Sequence, residues 1–238
     1  PSTEIAEILS ADAAQGKHDI VLIPADGEHG AAGICYGAST GGGRVFNATS
    51  ANGLLYSLEQ MPVQSGTRFP MVLDLVTRSV SGPLDIRGDH SDLYFAIHTG
   101  WIVLLARDPQ AVYDMNVMAL RIGEHPDVQL PVIVAYDGFF TSHQKRRVQY
   151  FTEDKVVQDF LGPVPPRTTA LDPRHPVTIG PYMNDPDLIN NKYQLHKAME
   201  AARRVIEEVF AEYAELSGRS YPVVDLYRMD DAEAALFV

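Results

Sequence analysis

The chain has 238 residues, of which 45% are hydrophobic and 21% are charged, proportions typical of a globular protein that buries a sizeable core. Its 19 Lys and Arg residues and 31 Asp and Glu residues give a formal net charge of −12, which argues against non-specific binding to nucleic acid because phosphates repel an acidic surface. The single cysteine, Cys35, excludes an internal disulfide and any metal or iron-sulfur site that needs several thiolates from this chain.

The hydropathy pattern bears on cellular location, and the chain ends bear on whether the sequence is part of a longer polypeptide. No apolar stretch approaches the roughly 18 residues of a membrane-spanning helix, and no charged-then-apolar signal sequence opens the chain. We therefore expect a cytoplasmic protein with no membrane partner. The chain starts at Pro1 rather than at a methionine, and residues 234–238 are typical of a strand, so we expect a piece of a larger polypeptide.

The first predicted elements are a helix and a buried strand. A hydroxyl cap and an early acid in residues 1–4 precede apolar residues at helical spacing, which predicts a helix that ends near Gly16. Residues 20–23 form a short, unbroken, mostly β-branched run that ends at Pro24. This pattern is typical of a parallel strand buried on both faces.

Glu28 follows this predicted strand and precedes a helix start that is rich in glycine and alanine, residues 30–33. Small residues there allow another backbone or a flat ring to approach closely, and open α/β sheets bind their ligands at the carboxyl ends of strands. The same acid would also suit a helix N-terminus with no further role. Local sequence leaves both interpretations open.

Strands and helices alternate from residue 44 to residue 143. The predicted strands are residues 44–48, 69–76, 101–106 and 130–135, and the predicted helices are residues 54–61, one that leads through His98, and one from Pro109 to about Gly123. Residues 49–53 and Asp108 are predicted helix caps. The alternation predicts an α/β fold, a parallel β-sheet with helices on both faces.

Beyond Lys145 the pattern changes. Residues 152–154 predict the cap of a short helix that Gly162 closes, and the prolines between residues 163 and 186 predict an extended proline-rich arm without long regular elements. A long amphipathic C-terminal helix is predicted over residues 189–216, and Ser217-Gly218 ends it.

Four polar clusters fall at predicted strand ends or helix starts: Glu28, residues 49–52, Arg78 and residues 137–143. Because the carboxyl ends of parallel strands meet at one edge of a sheet, these loops are expected to form a pocket with an acid, a cation and hydroxyl groups.

Five stretches carry a family resemblance, in the right order and spacing. They are Pro1-Ser2-Thr3-Glu4-Ile5-Ala6-Glu7, Glu28-His29-Gly30-Ala31-Ala32-Gly33, Thr49-Ser50-Ala51-Asn52-Gly53-Leu54, Gly88-Asp89-His90-Ser91-Asp92 and Asp137-Gly138-Phe139-Phe140-Thr141-Ser142-His143. Over nearly all of its length the chain resembles the 2-oxoacid:ferredoxin oxidoreductases of the pyruvate:ferredoxin type. The match is to their amino-terminal domain, which binds the pyrimidine of thiamine diphosphate.

The resemblance implies roles for two residues. Glu28 matches the carboxylate that hydrogen-bonds the aminopyrimidine of thiamine diphosphate, where a shared proton promotes the imino form of the ring. Arg78 matches the arginine that holds the substrate carboxylate, a task that suits a permanently charged bidentate fork. Without the family, Arg78 would also fit a surface ion pair, and residues 49–52 either border the cofactor pocket or only cap a helix.

The resemblance also implies partners. Oxidative decarboxylation of a small 2-oxoacid, with pyruvate as the first choice and coenzyme A as a possible co-substrate, would send electrons to ferredoxin. Magnesium and the iron-sulfur clusters would be held by other domains or subunits. Phe140 stands where the fused pyruvate enzymes commonly have arginine, and Ile179-Gly180-Pro181 has some likeness to oxalate-type subunits. An oxalate- or 2-oxoglutarate-type member is therefore an alternative, as is a non-catalytic scaffold domain.

The expected domain organisation follows from the same resemblance. Residues 1–150 would form the pyrimidine-binding α/β core, residues 151–217 the arm and long helix that complete the same domain, and residues 218–238 a passage into a second domain.

Other residues favour less specific interpretations. Asp89, His90 and Asp92 suit helix capping or subunit contacts better than a metal site, because no spaced pair lies on one helical face. Asp26 lacks the glycine that would precede it in a magnesium-diphosphate motif. A hydrolase that uses Glu28 and His29 is a remote alternative. The basic run at residues 145–147 predicts a solvated loop, or a docking site on an otherwise acidic domain.

Overall fold

Four parallel strands form the sheet. The structure, a computed structural model, describes residues 3–165, 171–180 and 182–236. Its strands are β1 (Phe46–Thr49), β2 (Val72–Thr77), β3 (Ile102–Ala106) and β4 (Val132–Asp137). They lie in the order β1-β2-β4-β3, and every neighbouring pair is parallel. The predicted parallel α/β sheet is confirmed.

Eight helices surround or flank this sheet in the described residues. They are α1 (Thr3–Ala14), α2 (Glu28–Thr40), α3 (Asn52–Ser57), α4 (Gln60–Thr67), α5 (Ser91–Ala96), α6 (Pro109–Glu124), α7 (Asp154–Leu161) and α8 (Asp187–Ser217). Asp108 caps α6 as predicted, because its side chain accepts a hydrogen bond of 2.8 Å from the Ala111 N–H. Gly162 and Gly218, both with positive φ, end α7 and α8 where glycine avoids strain.

The sheet has a hydrophobic core on each face. Along β2, successive side chains point to opposite faces. Val72 and Val76 pack with residues of α6 and α8, whereas Leu73 and Leu75 pack with residues such as Trp101. Every residue of β2 is buried, as expected for a parallel strand covered on both faces.

The prediction of a buried strand at residues 20–23 is wrong. This segment forms neither helix nor strand, and the exposed fractions of Ile20, Val21, Leu22 and Ile23 lie between 39% and 81%. A strand needs a neighbour that supplies N–H and C=O groups, and within the described ranges none pairs with this run. Glu28 therefore starts α2 after an exposed apolar segment rather than after a strand.

The single helix predicted over residues 54–61 is also wrong, since two helices, α3 and α4, form there. The predicted hydroxyl and amide caps are replaced by a distant group: Ala51 precedes α3, and its N–H donates to the carboxylate of Asp92 at 2.8 Å. The Asn52 side chain instead accepts a hydrogen bond of 3.0 Å from the Ser81 N–H. Long-range partners have taken the place of local capping.

The arm and the long helix match their predictions. Residues 163–165, 171–180 and 182–186 contain no helix or strand; residues 166–170 and Pro181 lie outside the described part, as do residues 237 and 238 of the predicted C-terminal strand. Residues 234–236 form no strand. Helix α8 buries Val209, Phe210 and Tyr213. No helix among the described residues is both long and apolar enough to cross a bilayer.

A buried carboxylate joins the segment after α8 to the core. Asp114 of α6 is fully buried and accepts hydrogen bonds from Arg219 at 2.7 and 2.8 Å, from the Tyr213 hydroxyl at 2.5 Å and from the Tyr221 hydroxyl. Burial raises the pKa of Asp114, but these donors outweigh that effect and hold the pKa below its usual value. The network anchors residues 219 and 221 to α6.

Candidate active site

Three of the four predicted clusters lie at one edge of the sheet. The strands β1, β2 and β4 run in the same direction, with Thr49 paired to Leu75 and Thr77 paired to Asp137. The carboxyl ends of these strands therefore share one edge, and Arg78 follows β2 directly there. This part of the sequence prediction is confirmed.

Glu28, the fourth cluster, reaches the same edge from α2. A Cβ atom added to Gly53 at the start of α3 would lie 2.8 Å from the Glu28 Oε1 atom and 2.5 Å from the Thr49 Oγ1 atom. The carboxylate therefore occupies the space that the missing side chain of Gly53 leaves open. Glu28 is exposed on this chain, so its carboxylate is accessible to a ligand.

Arg78 has an unsatisfied donor. Its side chain is half-buried, and its Nε atom is buried with no hydrogen-bond partner in the described residues. A buried donor without a partner lowers stability, and a guanidinium donor is well matched by a carboxylate. Among the described residues no ion pair of Arg78 is found, and its role in holding a substrate carboxylate stays a prediction.

The loop at residues 137–143 is ordered by its first residue. The Asp137 carboxylate accepts hydrogen bonds from the N–H groups of Phe139, at 2.8 Å, and of Phe140. A Cβ atom on Gly88 would lie 2.8 Å from the Asp137 Oδ2 atom and 3.3 Å from the Phe140 ring. This loop thus packs against the segment that leads into α5, and Phe140 is 59% exposed.

The residues considered for metal binding have other partners. The Asp89 side chain accepts from the Ser91 N–H at 2.6 Å, and His90 Nδ1 lies 2.7 Å from the Thr77 hydroxyl. Asp92 is buried and accepts from the N–H groups of Ala51 and Arg78 as well as from Leu93 in its own helix. Within the described residues no group of three or more His, Cys, Asp or Glu side chains is placed to hold a metal ion.

The residues of the remaining alternatives also have structural contacts. His29 Nε2 lies 3.1 Å from the Gln60 side-chain nitrogen, and its ring packs on Tyr56. The Asp26 carboxylate contacts the position where Gly30 lacks a side chain. Residues 145–147 are exposed in a loop, as predicted; whether a partner docks there stays a prediction.

The long-range role of Asp92 was missed by sequence reasoning. An acid in the first turn of a helix is the ordinary signal of a helix N-terminus, and this local pattern contains nothing that points to the loops after β1 and β2. Only the fold shows that the Asp92 carboxylate reaches both.

A parallel sheet with an acid and an arginine at its carboxyl edge has the architecture of α/β domains that bind ligands at this edge. The family model described as "Pyruvate flavodoxin/ferredoxin oxidoreductase, thiamine diP-bdg" matches residues 1–211. The chain therefore belongs to this thiamine diphosphate-binding family.

Relatives support this assignment. The chain is 40% identical over 233 residues to the pyruvate synthase subunit PorA of Thermotoga maritima, covering 98% of this chain and 59% of that protein. It is 34% identical over 244 residues to the alpha subunit of the NADH-dependent phenylglyoxylate dehydrogenase of Aromatoleum evansii, covering 99% of this chain and 58% of that protein. The chain thus spans less than two thirds of the length of these relatives.

A solved structure supports the fold. The 2-oxoglutarate:ferredoxin oxidoreductase from Magnetococcus marinus, with 2-oxoglutarate, coenzyme A and succinyl-CoA bound, matches with a TM-score of 0.64 and 22% identity, over 86% of this chain and 40% of that one. The predicted fold class is confirmed by this match.

Proposed function

We propose that this chain is the pyrimidine-binding part of a thiamine diphosphate-dependent 2-oxoacid:ferredoxin oxidoreductase. The complete enzyme oxidatively decarboxylates a small 2-oxoacid, with pyruvate as the preferred substrate, and passes electrons to ferredoxin. The observation that carries the proposal is the accessible Glu28 carboxylate beside Gly53, at the same sheet edge as Arg78. Membership of a thiamine diphosphate-binding family and relatives named pyruvate synthase support it.

The residues present fit this cofactor. The bare Gly53 backbone leaves Glu28 room for its carboxylate, and the exposed carboxylate can hold a proton and share it with an aminopyrimidine ring. When bound, thiamine diphosphate supplies the carbanion chemistry on which decarboxylation of a 2-oxoacid depends. The role of Glu28 is to bind and orient the ring and to hold that shared proton on a carboxyl oxygen.

In this proposal Arg78 binds the carboxylate of the 2-oxoacid substrate. The planar guanidinium donates two parallel hydrogen bonds to a carboxylate and stays charged at every relevant pH. The buried Nε atom of Arg78 has no hydrogen-bond partner among the described residues, so this donor is not already used within them. The pair therefore divides two tasks: Glu28 serves the cofactor, and Arg78 holds the substrate carboxylate.

The proposal makes this chain half of an active site. Residues 1–150 form the pyrimidine-binding core, residues 151–217 complete it, and residues 218–238 lead towards a second domain. The diphosphate, magnesium, the iron-sulfur clusters, and the contacts to ferredoxin and to coenzyme A belong to other domains or subunits of a cytoplasmic assembly. The Thermotoga maritima relative is itself named as a subunit.

The test is substrate-dependent reduction of ferredoxin by the complete enzyme. Pyruvate, 2-oxoglutarate and oxalate are compared, each with and without added thiamine diphosphate. We expect the fastest reduction with pyruvate and a strict need for the cofactor. Preference for one of the other two acids would reassign the substrate, and the absence of reduction with all three would contradict the proposal and favour a scaffold.

A further inference from the structure

One buried carboxylate connects two loops of the candidate active site. Asp92, in the first turn of α5, is fully buried. Its Oδ2 atom accepts hydrogen bonds from the N–H of Ala51 at 2.8 Å and from the N–H of Arg78 at 3.1 Å. Its Oδ1 atom accepts from the Leu93 N–H at 2.8 Å. Ala51 follows β1 and Arg78 follows β2, so a single oxygen atom joins the ends of two neighbouring strands.

Burial of the Asp92 carboxylate is energetically unfavourable unless other groups replace its water. A carboxylate inside a protein loses its hydration, and this loss is unfavourable unless donors replace the water. Here backbone N–H groups replace it, rather than the side chain of an arginine or lysine. Because two of these donors belong to the loops after β1 and β2, the contacts point to a role of Asp92 in placing these loops.

The loop after β1 depends on this contact. Ala51 has φ 46° and ψ −117°, a conformation that residues with a side chain seldom adopt, and its side chain is fully buried. Its N–H bond to Asp92 opposes relaxation of this strained backbone. Two residues later, Gly53 provides the space that the Glu28 carboxylate occupies. The position of Glu28 thus depends on the loop that Asp92 holds.

A second contact joins the same two loops. The Asn52 side chain accepts a hydrogen bond of 3.0 Å from the Ser81 N–H, three residues beyond Arg78. We propose that Asp92 is a positioning residue: it holds the Ala51 loop, which seats Glu28, and the Arg78 backbone at a fixed separation. Its effect on catalysis rests on the proposed function, whereas its effect on the two loops does not.

The test compares Asp92→Asn with a control in the complete enzyme. Asparagine keeps one carbonyl oxygen for Ala51 and Arg78 but turns its NH₂ group towards the Leu93 N–H, donor to donor. The control is Asp114→Asn, which changes another fully buried, hydrogen-bonded carboxylate, in α6. Both variants lose a buried charge, and only one of them touches the candidate active site.

Two readouts separate positioning from general destabilisation. Amide hydrogen exchange at Ala51 and Arg78 is expected to accelerate about tenfold or more in Asp92→Asn, and not in Asp114→Asn, because exchange reports local opening. The KM for pyruvate is expected to rise about tenfold in Asp92→Asn through displacement of Arg78, with a smaller change in kcat.

Each outcome decides a separate claim. Unchanged exchange at both amides would overturn the positioning role, and so would a KM that changes no more than in Asp114→Asn. If the wild-type enzyme oxidises no 2-oxoacid, the proposed function fails, yet the exchange rates on the same samples still decide whether Asp92 holds the two loops.

Discussion

The substitution Gly53→Ala tests the packing of Glu28 against α3. The added Cβ atom would lie 2.8 Å from the Glu28 Oε1 atom, and ordinary contacts begin at 3.4 Å. The carboxylate must therefore move by about 0.6 Å, and misplacement of a catalytic group by about 1 Å can lower a rate about 100-fold. We expect kcat/KM for pyruvate to fall about 10- to 100-fold, with a weaker apparent affinity for thiamine diphosphate.

The assay is steady-state reduction of ferredoxin by the complete enzyme, combined with thermal unfolding. The matched control is Gly37→Ala in α2, where an added Cβ meets nothing within 4 Å. This control should keep its activity and gain up to about 1 kcal/mol of stability from helix propensity. An unchanged kcat/KM in Gly53→Ala would refute the reasoning that Glu28 acts from the space beside Gly53.

Two further substitutions test the arginine and a buried acid. Arg78→Lys should raise the KM for pyruvate about tenfold in steady-state kinetics, because an ammonium group cannot form the planar bidentate contact; an unchanged KM would remove Arg78 from the site. Burial raises the pKa of Asp74 to about 7, so the folded protein holds the proton of the Asp74 carboxyl group more tightly than the unfolded chain does. The free energy of unfolding therefore falls as the pH rises from about 4 to about 7, because the unfolded chain loses this proton first. Urea unfolding should show Asp74→Asn gaining stability over wild type across that interval, and an equal pH dependence of both proteins would contradict this.

The sheet could be predicted because each of its strands has a recognisable local sequence pattern. Residues such as Val132 and Ile133 stand in unbroken apolar runs between helical patterns, and burial on both faces requires that composition. The same signal failed at residues 20–23. An apolar run reports that a segment prefers burial, but it does not report which strand supplies the hydrogen bonds, and here no described strand does.

The sequence predicted at which edge of the sheet the candidate site lies. Glu28 and Arg78 were expected together because loops after parallel strands converge, although Glu28 arrives by way of α2 and not by way of a strand. The catalytic roles of both residues stay predictions, as does the expected passage into a second domain from residue 218 onwards.

The contacts that position the candidate site residues could not be predicted from the sequence. Asp92 is separated from Ala51 by 41 residues, and Gly53 is important because of a carboxylate on another helix. Both contacts depend on tertiary geometry, which no local spacing of residues encodes. Sequence patterns predicted Glu28 and Arg78 as site residues, whereas only the fold shows which groups contact them.

The most direct test of the central claim is the turnover of Glu28→Gln in the complete enzyme. The account predicts that pyruvate-dependent reduction of ferredoxin falls about 100-fold or more, as expected when a group that shares a proton with the cofactor is lost. The melting temperature should stay unchanged, because Glu28 is exposed on this chain. Turnover close to that of the wild-type enzyme would contradict the claim that Glu28 serves thiamine diphosphate.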